Sequence, residues 1–175
     1  MQRKSFADMA CPIARSLEQV GEWWSMLILR DAFAGKTRFD EFQQSLGIAS
    51  NMLTRRLAAL VDAGMLERRL YSERPARREY LLTERGRDFR TVLVALLAFG
   101  DRHFAVGGGA GARVVDAATG EVVEPMLVDR KSGKELLEPN FRIVRGRRGA
   151  ASAGPRPSGS GLLAAAPTAS PGVGR

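Results

Sequence analysis

The feature that most constrains the fold is a run of helical periodicity enclosed by two glycines, Gly47 and Gly64. Apolar residues recur between them at the spacing of one helix face: Leu53, Leu57, Leu60 and Val61. Because glycine readily takes the left-handed conformation that ends a helix, the two glycines bound this pattern and predict an amphipathic helix over 48–63. Its leucine face must be covered by the segments before and after it.

Three further helices are predicted before residue 48. The first begins at Pro12, a residue type suited to the first helical position, and ends at Gly21. The second is marked by apolar residues between Trp24 and Phe33 and closes at Gly35. A short extended piece over 37–39 leads into the third, over 40–46, which stops at Gly47.

Two strands and a long helix are predicted after residue 64. The segments 66–72 and 78–83 have strand character and are joined by the turn 73–77. Thr83 is a suitable N-cap for a final helix over 84–104. This order of elements is typical of a winged helix-turn-helix, so the predicted fold class is mainly α with a small β-wing (α+β), occupying 11–104.

The composition changes beyond residue 104. Residues 105–112 are glycine-rich and are predicted to form a linker. The sequence Val115-Asp116 followed by Gly120 is repeated as Val128-Asp129 followed by Gly133, a spacing typical of hairpin turns, so 113–145 is predicted to form a small β-hairpin extension. The Gly-, Ala-, Pro- and Arg-rich segment 146–175 is predicted to be a disordered basic tail.

The charge and the supply of reactive residues narrow the function classes. The net charge of +8 favours a polyanionic partner, most simply nucleic acid, although a basic surface could also face a membrane. Half of that excess lies on the tail. The chain has one cysteine and one histidine, which are too few for most catalytic triads or Cys/His metal clusters. We therefore expect no enzyme, no cofactor and no metal site. The N-terminus lacks a signal-peptide pattern and the apolar stretch 92–99 is too short to span a bilayer, which favours a cytoplasmic protein.

The helix over 48–63 is the predicted recognition helix, because the second helix of a helix-turn-helix pair enters the major groove. Asn51 and Arg55 lie opposite its leucine face, and asparagine and arginine are the side chains that pair with adenine and guanine. The predicted DNA-binding residues of this helix are Ser50, Asn51, Thr54, Arg55 and Arg56. The alternative is that these residues only form the polar face of an amphipathic helix.

The predicted wing supplies a second basic element. Its DNA-binding candidates are Arg74, Arg77 and Arg78, at or beside the turn. A turn tipped with arginines suits phosphate contact or insertion into a minor groove. The alternative is a solvated charged loop.

The final predicted helix is apolar nearly all round between Val92 and Phe99, so one face can cover the winged domain and the other requires a partner. A second copy of the chain would meet this need, with help from the first helix. The predicted dimer-interface residues are Ile13, Leu17, Val92, Leu93, Leu96, Leu97 and Phe99. The alternative is a helix buried within one subunit.

An ordered set of short motifs between Cys11 and about His103 resembles the HxlR-type regulators, a branch of the MarR-like winged-helix proteins. The motifs are CPIAR at 11–15, LILRD at 27–31, RFDEF at 38–42, LTRRL at 53–57, GMLER at 64–68, REY at 78–80, and Leu82-Thr83 with Gly86. Two positions depart from the family pattern. Trp23 stands where a basic residue is common, and Ala49 replaces a frequent serine, so we expect the helix cap to shift to Ser50.

The resemblance implies a homodimeric, sequence-specific regulator, often a repressor, that binds palindromic operators in double-stranded DNA. It further implies that Cys11 stands where some members carry a redox- or electrophile-sensing thiol, so a small molecule or oxidant is a candidate effector. The segment 113–145 resembles C-terminal extensions that look like zinc ribbons, but it contains no cysteine, so no zinc is expected. The alternative function is a winged-helix protein-interaction module without specific DNA binding, which a gel-shift experiment would distinguish.

Overall fold

A computed structural model describes residues 5–6, 9–104 and 113–144 of the chain. Eight elements follow one another in it: α1 (Pro12–Val20), α2 (Trp23–Phe33), α3 (Phe39–Leu46), α4 (Ser50–Asp62), β1 (Leu66–Glu73), β2 (Ala76–Leu82), α5 (Glu84–Asp88) and α6 (Arg90–Phe104). The two strands form an antiparallel sheet. The predicted fold class, mainly α with a small β-wing, is therefore confirmed.

The core is built where the leucine face of α4 meets α2 and α3. Among the residues that the structure describes, the largest fully buried side chains are those of Ile28, Leu29, Phe42, Leu53, Leu57, Leu60 and Leu66. Each such burial contributes about 1.5–3 kcal/mol relative to an exposed position. Val61, which the sequence pattern placed on the same face, is only partly buried and packs against the edge of this core. The buried leucines determine which face of α4 points into the protein and therefore which residues face outward.

The junction between α3 and α4 orients the two helices. Gly47 has φ 60° and ends α3 in the left-handed conformation.

Glu41 caps the N-terminal end of α3, because its Oε2 accepts hydrogen bonds from the backbone N–H groups of Thr37 (2.8 Å) and Arg38 (2.9 Å). These bonds favour the carboxylate and lower the pKa of Glu41. The stabilisation is therefore present above the ordinary carboxyl pKa and is lost as the pH falls through the lowered value.

Helix α4 begins at Ser50, later than the predicted start at residue 48, because the backbone of Ala49 is extended, with φ −62° and ψ 137°. The N-cap is Ala49, which makes no side-chain cap bond. The expected shift of the cap to Ser50 is thus wrong. Ser50 is the first helical residue, and its Oγ instead accepts a hydrogen bond from Gln43 Nε2 at 2.7 Å.

The wing is a longer hairpin than the sequence indicated. Pairing continues to Glu73 and Ala76, so the five-residue turn predicted over 73–77 is reduced to Arg74 and Pro75. Proline has no N–H to donate to the ladder and therefore fits the turn. An irregularity in the register between Leu70 and Ser72 accommodates the additional pairs.

The final helix is interrupted, which corrects the prediction of one continuous helix over 84–104. Helix α5 ends at Asp88, the N–H of its C-cap Phe89 donates to the carbonyls of Gly86 and Arg87, and α6 then begins at Arg90. Helix α5 is fastened to the chain before β1: Thr83 Oγ1 donates to the carbonyl of Gly64 (2.7 Å), and a Cβ on Gly86 would lie 2.1 Å from the carbonyl of Met65. Helix α6 contacts α2, whereas α5 contacts β2, so the two helices pack against different elements.

Thr83→Ala is expected to lower the free energy of unfolding by about 1–2 kcal/mol, because Thr83 is the N-cap of α5, as the sequence predicted. Its hydroxyl accepts from the Gly86 N–H at 3.0 Å while donating to Gly64. Denaturant unfolding measures the change. Thr91→Ala, at an exposed position of α6, is the matched control and should differ little from the wild type; equal stability of both variants would contradict this role of Thr83.

Two small turns of the same geometry lie in the segment 113–136, where hairpins were predicted. Single bridges join Val115 to Val122 and Val128 to Glu135. Asp116 accepts from the N–H groups of Ala118 and Thr119, and Asp129 accepts from the N–H and hydroxyl of Ser132, which lowers the pKa of both carboxyl groups.

The chain divides after Leu136 into a second unit, described over 137–144, where Phe141 N–H bonds to the Leu137 carbonyl. The predicted linker over 105–112, residue 145 and the predicted tail over 146–175 lie outside the described residues. None of the helices in the described part of the chain has the length and apolar character of a bilayer span.

Candidate nucleic-acid interface

The outward face of α4 presents a polar set of side chains. Asn51 and Arg55 are exposed on the side opposite the buried leucines, and Ser50 and Thr54 are exposed beside them. Thr54 Oγ1 donates to the Ser50 carbonyl at 2.8 Å, while Arg55 Nε reaches the Asn51 carbonyl only at 3.4 Å. The long contact leaves the Arg55 guanidinium able to reach other acceptors.

Arg56 differs from the other four candidates in α4. Its Nη2 lies 3.0 Å from Oε2 of Glu22, and only 24% of its side chain is exposed. Its Nε is buried and makes no hydrogen bond in the described structure. The prediction that Arg56 contacts DNA stays untested, but its geometry separates it from the exposed face that Asn51 and Arg55 share.

The three wing candidates lie at the far end of the hairpin. Arg74 is in the turn, Arg77 and Arg78 are in β2, and all three are exposed. Their side chains form no ion pair and no side-chain hydrogen bond with any residue that the structure describes. The tip of the wing therefore presents these three arginines beside the exposed carboxylate of Glu73, and this cationic excess suits phosphate contact.

The base of the wing carries contacts that were not predicted from the sequence. Arg69 and Glu79 pair across the strands at 2.8 Å, and the Arg38 guanidinium lies 4.8 Å from the centre of the Tyr71 ring. The Tyr80 N–H also donates to the Thr37 carbonyl at 2.7 Å. The opposite charges of Arg69 and Glu79 could have indicated the pairing once the register was known. The contacts made by Thr37 and Arg38 hold the hairpin to the segment before α3, while the pair of Arg69 and Glu79 joins its two strands.

A narrow apolar stripe runs along α6. Val92, Leu96 and Phe99 are 48%, 51% and 53% exposed and follow one another at helical spacing. Leu93 and Leu97, also predicted for the dimer interface, are partly buried on the flank, and Leu93 packs against the core. In α1, Ile13 and Leu17 are exposed as well. No residue of α6 is fully buried, which disfavours the alternative of a helix enclosed within one subunit.

Cys11 is exposed at the N-cap of α1. The nearby N-terminal segment is held to α1, because Glu18 accepts from the Phe6 N–H at 2.9 Å and from the Ser5 hydroxyl at 3.2 Å. Within residues 5–6, 9–104 and 113–144, no three His, Cys, Asp or Glu side chains are grouped so that they could hold a metal ion. The expectation that the extension binds no zinc stays a prediction.

Comparison with known proteins gives a consistent result. The profile of the HxlR-like helix-turn-helix family matches residues 19–107. An uncharacterised HTH-type transcriptional regulator of Mycobacterium bovis is 39% identical over 128 residues, which cover 73% of this chain and 81% of that protein. The crystal structure of PA1607, a candidate transcription factor, superposes with a TM-score of 0.73 at 38% identity, covering 82% of this chain and all of the other. The redox regulator HypR in its reduced form has a TM-score of 0.50 at 30% identity, covering 53% and 95% of the two chains.

Proposed function

Since the chain belongs to the HxlR-like helix-turn-helix family and is a transcriptional regulator rather than an enzyme, we propose that it acts as a homodimer on palindromic operators, as a repressor. Double-stranded DNA is the partner proposed for α4 and the wing. In this proposal Asn51 and Arg55 read base edges in the major groove, Ser50 and Thr54 flank them, and Arg74, Arg77 and Arg78 contact phosphates.

The single observation that carries the proposal is the orientation of α4. Three leucines of this helix are fully buried, and this burial leaves Asn51 and Arg55 exposed on the opposite face. Asparagine can bond adenine through two atoms, and arginine can bond guanine in the same manner. The uncapped N-terminus of α4 adds backbone N–H groups that suit a phosphate oxygen.

Support for the dimer comes from the apolar stripe of α6. A row of half-exposed Val92, Leu96 and Phe99 is a costly surface to leave in water, and a second copy would cover it symmetrically. Two copies present two α4 helices, and a palindromic site whose half-sites are about one helical turn apart matches that symmetry.

A gel-shift experiment on the DNA upstream of the protein's own gene tests the proposed function. We expect a shifted complex that persists in an excess of unrelated competitor DNA and weakens as salt is raised, because phosphate contacts release counterions. A complex that the competitor removes in proportion to its mass would leave only nonspecific binding. No complex at low salt would favour the protein-interaction module instead.

Regulation through Cys11 stays a prediction. Its exposed position at a helix N-terminus suits reaction with an oxidant or electrophile. As the chain has one cysteine, a disulfide would have to join two subunits or a small thiol. The name of HypR records redox regulation for that protein only.

A further inference from the structure

The ion pair between Arg56 and Glu22 joins the candidate recognition helix to the junction between α1 and α2. Glu22 is the N-cap of α2 and directly follows Gly21, the C-cap of α1. Arg56 lies on the flank of α4, next in sequence to Arg55. We propose that Arg56 is a positioning residue: held by Glu22, it fixes the rotation of α4 and thereby the aim of Asn51 and Arg55, and it does not itself contact DNA.

The burial of the pair supports this role. The side chains of Arg56 and Glu22 are 24% and 27% exposed, and Arg56 Nε is buried without a hydrogen-bond partner in the described structure. A guanidinium held in this way loses solvation, which its carboxylate partner offsets. Arg56 would have to give up a partly buried ion pair at 3.0 Å to reach a phosphate, whereas the exposed Arg55 would give up only a 3.4 Å contact to its own helix.

The geometry of α4 explains why such a contact matters. The three buried leucines are a non-directional constraint, and a helix seated on them can rotate slightly at little cost. The partly buried ion pair on the flank ties α4 to the junction between α1 and α2 at a second point, and it resists that rotation. A small displacement of Asn51 and Arg55 weakens their hydrogen bonds to base edges. Loss of the ion pair should therefore reduce the discrimination between DNA sequences.

The decisive variant is Glu22→Gln, because the two roles of Arg56 predict opposite results. The inference rests on the proposed function, so both operator DNA and an unrelated duplex are titrated with wild type and variant. If Arg56 is positioned by Glu22, the ratio of operator affinity to nonspecific affinity falls by roughly 5- to 10-fold. If Arg56 is a phosphate contact that Glu22 restrains, the variant binds both duplexes as well as or better than the wild type, which overturns the inference.

Arg56→Gln and the double variant complete the test. A positioning role predicts that Arg56→Gln lowers the same ratio, leaves the salt dependence of operator binding unchanged, and adds little loss to Glu22→Gln. A phosphate contact predicts equal weakening on both duplexes and a salt slope smaller by about one. Asp62→Asn removes one negative charge from an exposed position of the same helix and is the matched control, expected to keep the wild-type ratio.

Two further measurements keep the interpretation clear. Thermal unfolding of each variant shows whether reduced discrimination merely follows loss of folded protein. The double variant with reversed charges, Glu22→Arg with Arg56→Glu, should regain part of the ratio of operator affinity to nonspecific affinity. A fully folded reversed pair that regains none of it contradicts the positioning role. If the wild type itself shows no operator preference, the proposed function has failed rather than this inference.

Discussion

Replacing Leu96 with aspartate is expected to convert the proposed dimer into a monomer and to abolish operator binding at the concentrations that saturate the wild type. Leu96 is 51% exposed in the single chain, at the centre of the stripe formed by Val92, Leu96 and Phe99. A two-fold axis would bring two aspartates into one apolar seam, and an uncompensated buried charge costs about 3–5 kcal/mol. The dimer dissociation constant should rise at least about 100-fold.

Sedimentation or light scattering across a concentration series measures this change. Because Leu96 does not contribute a fully buried side chain to the core, the variant should remain folded, which circular dichroism checks. Thr91→Asp introduces the same charge on the same helix, away from the stripe, and is the matched control that should remain dimeric. A Leu96→Asp protein with an unchanged molecular mass in solution would refute this interface, and a wild type that is already monomeric would refute the dimer.

Replacing Arg55 with alanine is expected to cost about 1–3 kcal/mol of operator binding, or roughly 5- to 150-fold, and to relax the base preference at one position of each half-site. The reason is that Arg55 is exposed on the outer face of α4 and makes only a 3.4 Å contact within its own helix. Folding should be unaffected, since the core leucines lie on the other face. Titrations of the operator and of single-base variants measure the loss.

Arg77→Ala is the control that distinguishes base reading from phosphate contact. Arg77 is exposed in β2, and its loss should weaken binding to all sequences similarly and reduce the salt slope by about one. If Arg55→Ala behaves in the same uniform way, Arg55 does not read a base. If Arg55→Ala binds the operator as well as the wild type, the reading face has been assigned to the wrong side of α4.

The parts of the fold that follow from local periodicity were predictable from the sequence. The leucines of α4 and the glycines that end α3 and α4 give strong local signals, and the structure has Gly47 and Gly64 at positive φ. For the same reason, the outward direction of Asn51 and Arg55 could be predicted before the structure was known. The N-capping of Thr83 is a second local signal that the structure confirms.

The features that were missed depend on contacts between distant segments. The interruption at Phe89 follows from the fastening of Thr83 and Gly86 to the chain before β1, which the apolar pattern of 84–104 does not reveal. The partial burial of Arg56 depends on Glu22, which lies 34 positions earlier and has no periodic relation to it. The shorter wing turn depends on an irregularity in the register near Tyr71. Local sequence patterns carry no information on such pairings.

A methylation-protection footprint on the operator tests the central claim most directly, because dimethyl sulfate reports guanine N7 in the major groove, where Arg55 is proposed to bind. We predict two protected guanine clusters, with centres about 10–10.5 base pairs or a multiple apart, both lost in Arg55→Ala while Arg77→Ala keeps them at saturating protein. Protection that is absent from the major groove, or that persists unchanged in Arg55→Ala, would contradict the claim that the outer face of α4 reads the DNA.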